Sequence, residues 1–183
     1  MVFGFLLVGA CLMAVGCGGS PVGALIAEAS SPDTDDKYDA LKGLEAYADQ
    51  AAPALPAIIE GLHHPSPKVR YRSAKLLSKM ESDAAPAVEA IIAAWEEADT
   101  DTRYYLLKAL GNLDAAAAPA APLLAKALKS KDAKHRYYAA RALGEIGPQA
   151  APAMPALREA SHDRDQKVSR AANDALESLA SQD

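Results

Sequence analysis

The motif Ala-Ala-Pro-Ala occurs four times in this chain at a constant spacing of 33 residues. Its copies occupy 51–54, 84–87, 117–120 and 150–153. Two other sets of equivalent positions, which we call columns, keep the same spacing. One consists mostly of aspartates and the other of leucines: Asp33, Ser66, Asp99, Asp132 and Asp165, then Leu44, Leu77, Leu110, Leu143 and Leu176. A period of this length is the signature of a repeat protein in which each unit packs on the next.

A fifth, more degenerate unit precedes the first motif, because apolar residues also occupy the matching positions one period earlier. These residues are Val22, Leu25, Ile26 and Ala29. The sequence therefore predicts a separate segment at 1–17 and one domain over 18–183, with units at 18–50, 51–83, 84–116, 117–149 and 150–182.

Each unit has the pattern of two helices. A proline near the start of the first helix is tolerated because the first backbone N–H groups of a helix have no partner. The second helix is predicted to begin at the Asp or Ser column, whose side chains can accept hydrogen bonds from free N–H groups. It continues through Val69, Ser73, Leu76 and Met80, which share one helical face. Such short hairpins bury their apolar sides only by stacking, so the predicted fold is all-α, an α-solenoid of five helical hairpins.

Composition and motifs narrow the possible functions. The net charge of −5 argues against a general nucleic-acid binder. The cysteines are Cys11 and Cys17, so the rest of the chain can form neither a disulfide framework nor a thiolate metal site. Trp95 shares the column of Leu62 and Leu128 and is predicted to lie in the core. No glycine-rich phosphate loop or nucleophile motif occurs, so we expect no catalytic residue, metal or cofactor.

The N-terminal segment carries no charged side chain before Glu28, and its apolar run at 2–15 is shorter than the roughly 20 residues of a spanning helix. The run ends in Ala14-Val15-Gly16-Cys17 and resembles a bacterial lipoprotein signal. This resemblance implies lipid attachment at Cys17 and a membrane-anchored lipoprotein of the cell envelope that faces the periplasm or the exterior. An uncleaved anchor extending to 22–27, a misassigned start codon and a buried first helix are the alternatives.

The segment at 134–147, Lys-His-Arg-Tyr-Tyr-Ala-Ala-Arg-Ala-Leu-Gly-Glu-Ile-Gly, is similar to the short HEAT-like repeats first described in phycobilisome bilin lyases. The resemblance extends over 18–182 and implies a right-handed superhelix with second helices on its concave surface. It also implies a structural role for one arginine column, which would pair along the stack with capping acids: Arg70, Arg103 and Arg136 with Asp99 and Asp132.

A turn of about 100° per residue places Tyr71, Lys75 and Ser78 opposite the core face of the second helix. The Tyr71 and Lys75 columns recur through four units as Tyr38, Tyr71, Tyr104 and Tyr137 and as Lys42, Lys75, Lys108 and Arg141. Arg170 and Asp174 take these positions in the last unit. Tyrosine and arginine are enriched where interfaces concentrate their energy, so we predict a groove that binds an extended or acidic protein partner. The alternative is a solvated face, repeated by duplication, in which cations stack on tyrosines.

The function predicted from the sequence is that of a non-catalytic protein–protein interaction scaffold at the cell envelope. HEAT-like deoxyhypusine hydroxylases hold two irons with His-Glu pairs, and this sequence contains no His-Glu pair. HEAT-like DNA glycosylases need a strongly basic groove with aromatic residues that hold the DNA. This chain has both residue types, but its export signal and its net charge of −5 argue against a nucleic-acid partner. An enzyme or enzyme accessory related to the bilin lyases, and a structural spacer that binds nothing specific, are the two other hypotheses.

Overall fold

The computed structural model describes residues 20–180, which form ten α-helices joined by short turns. The helices are α1 (Pro21–Glu28), α2 (Thr34–Leu44), α3 (Leu55–Leu62), α4 (Pro67–Leu77), α5 (Val88–Ala94), α6 (Thr100–Gly111), α7 (Ala121–Ala127), α8 (Ala133–Ile146), α9 (Met154–Ala160) and α10 (Gln166–Ala180). Consecutive helices pair into five hairpins, which confirms the predicted all-α solenoid. The segment 1–17, with the predicted lipid-attachment residue Cys17, lies outside the described residues.

The aspartate column caps the second helices as predicted. Asp33, Asp99 and Asp132 each accept a hydrogen bond from a backbone N–H in the first turn of α2, α6 and α8, and Asp165 does so for α10. Ser66 was expected to do the same for α4, but it makes no side-chain capping bond. Pro67 follows it at the first helical position, which proline tolerates because the N–H group there has no helical partner.

The Ala-Ala-Pro-Ala motif forms 3₁₀ turns rather than the first turn of an α-helix. These turns span Ala52–Ala54, Glu81–Ala87, Asp114–Ala120 and Gly147–Ala153, and each contains the motif proline. The first and last alanines of every motif are buried. Because the turns pack against the first helices and turns of neighbouring units, the small alanine side chain permits this close approach.

The helices form two layers. The second-helix layer consists of α2, α4, α6, α8 and α10, each packed directly on the next. The first-helix layer consists of α1, α3, α5, α7 and α9, which meet their neighbours largely through the 3₁₀ turns. The two layers enclose a continuous apolar core between them.

The predicted core face of α4 is confirmed, since Val69, Ser73 and Leu76 are buried. Met80, predicted to lie on the same helix, is also buried but follows the end of α4 at Leu77. Trp95 is buried as well. Ser78, expected on the opposite face, is also buried, because α4 has already ended at Leu77. The Ser78 hydroxyl donates to the carbonyl of Lys75, and the Asn112 side chain donates to the carbonyl of Ser78 from the next unit.

Within 20–180, no helix is long and apolar enough to cross a membrane. The residues at 22–27 belong to α1, which packs on α2 as part of the solenoid. The same range contains no cluster of three His, Cys, Asp or Glu residues that could hold a metal ion.

Candidate protein-binding surface

The four predicted tyrosines lie in register on the second-helix layer, one on each of α2, α4, α6 and α8. They are Tyr38, Tyr71, Tyr104 and Tyr137, and all are half-buried. Their register follows from the 33-residue period, which gives each helix the same rotation about its axis.

A second column, which the sequence analysis missed, fills the spaces between these tyrosines. Its members are Arg72, Tyr105 and Tyr138, each 34 residues after a tyrosine of the first column. Tyr105 contacts Tyr71 edge-to-face at 5.2 Å between ring centroids, and Tyr138 contacts Tyr104 at 5.0 Å. In the first such pair, the Arg72 guanidinium lies 5.0 Å from the centre of the Tyr38 ring.

Contacts within each helix join these pairs into one continuous row. Tyr105 lies 4.8 Å from Tyr104, Tyr138 lies 5.0 Å from Tyr137, and the Arg72 guanidinium lies 5.5 Å from Tyr71. We call this row the aromatic stack; in spatial order it comprises Tyr38, Arg72, Tyr71, Tyr105, Tyr104, Tyr138 and Tyr137. It crosses four helices and gives the second-helix layer a rigid amphipathic surface.

The hydroxyl groups of the aromatic stack are also paired between units. Arg72 Nη2 donates to Tyr38 Oη at 2.8 Å, and this hydrogen bond lowers the pKa of Tyr38. The Tyr104 and Tyr138 hydroxyls lie 3.4 Å apart, and hydrogen bonding with Tyr104 raises the pKa of Tyr138, as burial also does. Hydrogen bonding with Tyr71 likewise raises the pKa of Tyr105. The ordinary tyrosine pKa is about 10, so Tyr105 and Tyr138 stay protonated at neutral pH.

One member of the basic column, Lys75, is neutralised by a largely buried carboxylate of the preceding unit. The Glu45 carboxylate, whose side chain is only 9% exposed, lies 2.8 Å from both Lys75 Nζ and Arg72 Nη1, and 3.4 Å from Lys79 Nζ. Burial alone would raise the pKa of Glu45, but hydrogen bonds from Lys75 and Arg72 outweigh it and hold the pKa below its usual value. Lys75 is therefore held in this ion cluster and is not an unpaired cation of the groove. Lys42 is exposed on α2.

The C-terminal half has more cations that are free to meet a ligand. Arg141 Nε lies 3.5 Å from Glu145, but both side chains are nearly half exposed, so water screens this pair strongly. Lys108, Lys134, Lys167 and Arg170 have no carboxylate within ion-pair distance among residues 20–180. Asp174, at the end of the predicted basic column, is exposed.

A cavity of about 1230 Å³ opens at this C-terminal end of the described chain. Its walls come from α8 and α10, with Tyr104 of α6 and the capping residue Asp165. A smaller cavity of about 280 Å³ lies beside it and is lined by residues of α4, α6 and α8 and by Asp132. Both cavities open on the second-helix layer.

The arginine column has partners other than those expected. Arg70 donates to the carbonyls of His64 and Pro65, and Arg103 donates to those of Trp95 and Glu96. These carbonyls lie at the end of the first helix in the same unit, where they lack helical partners. Arg136 also donates to two such carbonyls. The predicted pairing with Asp99 and Asp132 is therefore wrong, because both carboxylates cap helices instead.

One arginine of the column does bind a carboxylate in the next unit. Arg136 Nε and Nη2 donate to the two carboxylate oxygens of Asp163 at 2.7 and 2.9 Å. This bidentate pair lies between units four and five, and both side chains are largely buried. The hydrogen bonds from Arg136 hold the pKa of Asp163 below its usual value, against the opposing effect of burial.

The family model for HEAT repeats matches this chain at residues 22–96 and 88–177. The chain belongs to the HEAT-repeat family. No curated protein matches it. Among solved structures, an engineered protein shares 22% identity with this HEAT-repeat chain, with 88% of this chain and 80% of the other covered at a TM-score of 0.70. A second engineered protein shares 23% identity at a TM-score of 0.75, with 86% and 47% covered.

The solenoid also resembles the complex of CpcE and CpcF of phycocyanin lyase from Nostoc sp. PCC7120. Identity is 25% and the TM-score 0.70, with 91% of this chain and 68% of the other covered. The predicted resemblance to bilin lyase repeats is thus confirmed at the level of structure.

Proposed function

We propose that this HEAT-repeat protein is a non-catalytic protein–protein interaction scaffold tethered to the bacterial cell envelope. It binds an extended or acidic protein segment on its second-helix layer. The observation that carries the proposal is the aromatic stack, which leads along four helices to the cavity where the free cations Lys134, Lys167 and Arg170 are concentrated.

The shape of the surface favours a polypeptide over a small metabolite. Five second helices spaced about 8–10 Å apart give a surface on the order of 40 Å long. Half-buried tyrosines held by neighbours offer rigid contact area with little loss of side-chain entropy on binding. The related structure from Nostoc is itself a complex of two proteins, which supports a protein partner for this fold.

The binding proposal is tested by charge reversal in the cavity. We expect Lys134→Glu combined with Arg170→Glu to abolish recovery of the partner in a cross-linking pull-down from the native envelope. Both side chains are exposed, so circular dichroism should show unchanged folding. The matched control combines Lys131→Glu with Arg158→Glu, two exposed cations that line neither cavity, with the same change in net charge. Equal recovery with both double variants would contradict a binding role for this surface.

The tether rests on the signal-like segment and on its position next to the first unit. Cys17 precedes Pro21, the first residue of α1, by four residues that span at most about 14 Å. A lipid on Cys17 would hold the first unit at the membrane surface. We expect metabolic labelling with a palmitate analogue to mark the wild-type protein and not Cys17→Ala. We also expect the variant to be absent from the membrane fraction. Unlabelled wild-type protein would contradict the lipoprotein.

A second candidate function is that of an enzyme or enzyme accessory related to the bilin lyases, which the likeness to the CpcE–CpcF complex favours. It predicts that the purified protein accelerates covalent attachment of a bilin to a phycocyanin subunit. Attachment at the rate without protein would remove this candidate. A spacer without a specific partner is the remaining hypothesis, and it predicts no partner in the pull-down with wild type.

A further inference from the structure

The aromatic stack ends abruptly at the last unit. In three successive units a first-column tyrosine contacts the residue 34 positions later: Tyr38 meets Arg72, Tyr71 meets Tyr105, and Tyr104 meets Tyr138. The next pair is Tyr137 with Ala171. Alanine has no ring, so Tyr137 contacts Tyr138 on its own helix but lacks the edge-to-face partner from the next unit that Tyr71 and Tyr104 have.

The missing side chain leaves both space and an unmet hydrogen-bonding group. The 1230 Å³ cavity lies at this point, and Tyr137, Ala171 and Ala175 all line it. Among the residues that the structure describes, nothing hydrogen-bonds the Tyr137 hydroxyl, whereas Tyr38 bonds Arg72 and Tyr104 lies 3.4 Å from the Tyr138 hydroxyl. The position beside Tyr137 therefore lacks what Tyr138 provides beside Tyr104, a planar side chain with a hydroxyl group at its end.

The floor of the cavity suits a flat apolar ring. Gly144, Ala171 and Ala175 line it with small side chains. A Cβ added at Gly144 would lie 3.2 Å from Ala175, so α8 and α10 already approach as closely as side chains allow. The open space is thus on the Tyr137 side of the cavity rather than between the two helices.

The rim of the cavity favours negative charge next to that ring. Its cations are Lys134, Arg141, Lys167 and Arg170, and its carboxylates are Glu145, Asp165 and Asp174. Glu145 faces Arg141, and Asp165 accepts the N–H groups of Lys167 and Val168 as a helix cap. The four cations exceed the three carboxylates by one charge, and Lys134, Lys167 and Arg170 form no ion pair among residues 20–180.

We infer that this cavity receives an aromatic side chain with a polar tip, a tyrosine by chemistry, presented by an acidic segment of the partner protein. The inference rests on the proposed function and identifies the anchor residue of its ligand. The incoming ring takes the place that Tyr138 occupies in the preceding unit, and its hydroxyl meets that of Tyr137. Aromatic anchors in desolvated pockets carry a large share of interface energy.

The test uses a short capped peptide with one tyrosine flanked by glutamates, titrated into the folded chain by isothermal titration calorimetry. Two comparison peptides replace the tyrosine by alanine or the glutamates by lysines. We expect the alanine peptide to bind at least about tenfold more weakly and the lysine peptide not to bind.

Two variants test the place of binding. Ala171→Tyr supplies the missing ring from the protein itself, and we expect it to weaken the binding of the tyrosine peptide at least about tenfold. Arg158→Glu, on the first-helix layer, should bind as wild type does. If Ala171→Tyr does not fold, Tyr137→Ala removes the other half of the contact and should produce the same loss.

The outcomes separate this inference from the proposed function. Equal binding of the tyrosine and alanine peptides, lost in Lys134→Glu with Arg170→Glu, would overturn the aromatic anchor while leaving an acidic ligand on the surface. Binding of the tyrosine peptide that survives both Ala171→Tyr and Tyr137→Ala would also overturn it. No binding of any peptide would overturn both proposals.

Discussion

Three turns that follow a second helix pass through left-handed backbone at equivalent positions in successive units. The φ angles are 49° at Glu81, 47° at Asp114 and 74° at Gly147. Glycine adopts this region without steric cost, whereas a side chain is strained there. The 33-residue period therefore places a positive φ in three successive turns, and only one of them has glycine at that position.

We predict that Glu81→Gly raises the free energy of unfolding by about 0.5–1 kcal/mol, because it relieves that strain. Gly147→Ala should lower it by about 1–2 kcal/mol for the converse reason. Urea denaturation followed by circular dichroism measures both changes. A loss of stability in Glu81→Gly would contradict the left-handed turn.

Gly61 illustrates a glycine required by packing rather than by backbone conformation. A Cβ at this position would lie 2.2 Å from Ser73 Oγ, which is fully buried. We predict that Gly61→Ala costs roughly 1–3 kcal/mol, since the core must shift to admit one methyl group. Thermal denaturation measures the cost.

Gly23 is the matched control for this prediction. No atom lies within 4 Å of a Cβ built there, and the residue lies in α1. Gly23→Ala should therefore be neutral or stabilise by up to about 1 kcal/mol, in line with helix propensity. Equal changes in melting temperature for Gly61→Ala and Gly23→Ala would contradict the close packing of Ser73 against Gly61.

At the scale of helices, the pair of Arg136 and Asp163 joins α8 to the turn before α10. Because the native pKa of Asp163 is lowered by Arg136, the carboxylate stabilises the fold fully above its unfolded pKa of about 3.9. That contribution is lost as the pH falls through the lower native pKa.

We therefore predict that Asp163→Asn destabilises the protein by about 1.5–3 kcal/mol at pH 7, the size of hydrogen bonds to charged groups. The difference from wild type should shrink below about pH 4, as wild type loses the charge. Parallel urea titrations of both proteins across this range measure it. A difference that stays constant down to pH 3 would contradict the role of the charged pair.

The ring missing after Tyr137 also has a consequence for stability. Ala171→Tyr should raise the free energy of unfolding by about 0.5–1.5 kcal/mol, the value of an added edge-to-face pair. Ala171→Leu adds apolar bulk without a ring and should stabilise less. Melting temperatures of the three proteins test this, and a larger gain with leucine would show that the stack does not extend to position 171.

Comparison of sequence and structure is most instructive for these same helices. The period alone placed Tyr38, Tyr71, Tyr104 and Tyr137 on one surface, because equal spacing repeats the helix rotation. The interleaved Tyr105 and Tyr138 were missed, although the adjacent Tyr-Tyr pairs were a visible signal. The neutralisation of Lys75 by Glu45 was not predictable from the columns. The two residues belong to neighbouring units and to different columns, so only the packing of one unit on the next brings them together.

At the scale of the whole molecule, the two ends of the second-helix layer have different chemistry. The N-terminal end carries paired charges around Glu45, while the C-terminal end carries the cavity and the free cations. Under the proposed function, the partner would bind at the end of the layer opposite to the one that follows the proposed tether in sequence. This polarity follows from departures from the repeat, at Glu45, Arg170 and Ala171, and not from the repeat itself.

The most direct measurement of this account is site-specific photo-crosslinking in intact cells. A photoreactive phenylalanine analogue is placed at Asp174, which lines the cavity, or at Arg158, on the first-helix layer. We predict one discrete crosslinked protein in the membrane fraction from position 174 and none from position 158. The product from position 174 should be lost when Ala171→Tyr is added. The same product from both positions, or a 174 product that survives Ala171→Tyr, would contradict a binding site on the second-helix layer at the C-terminal cavity.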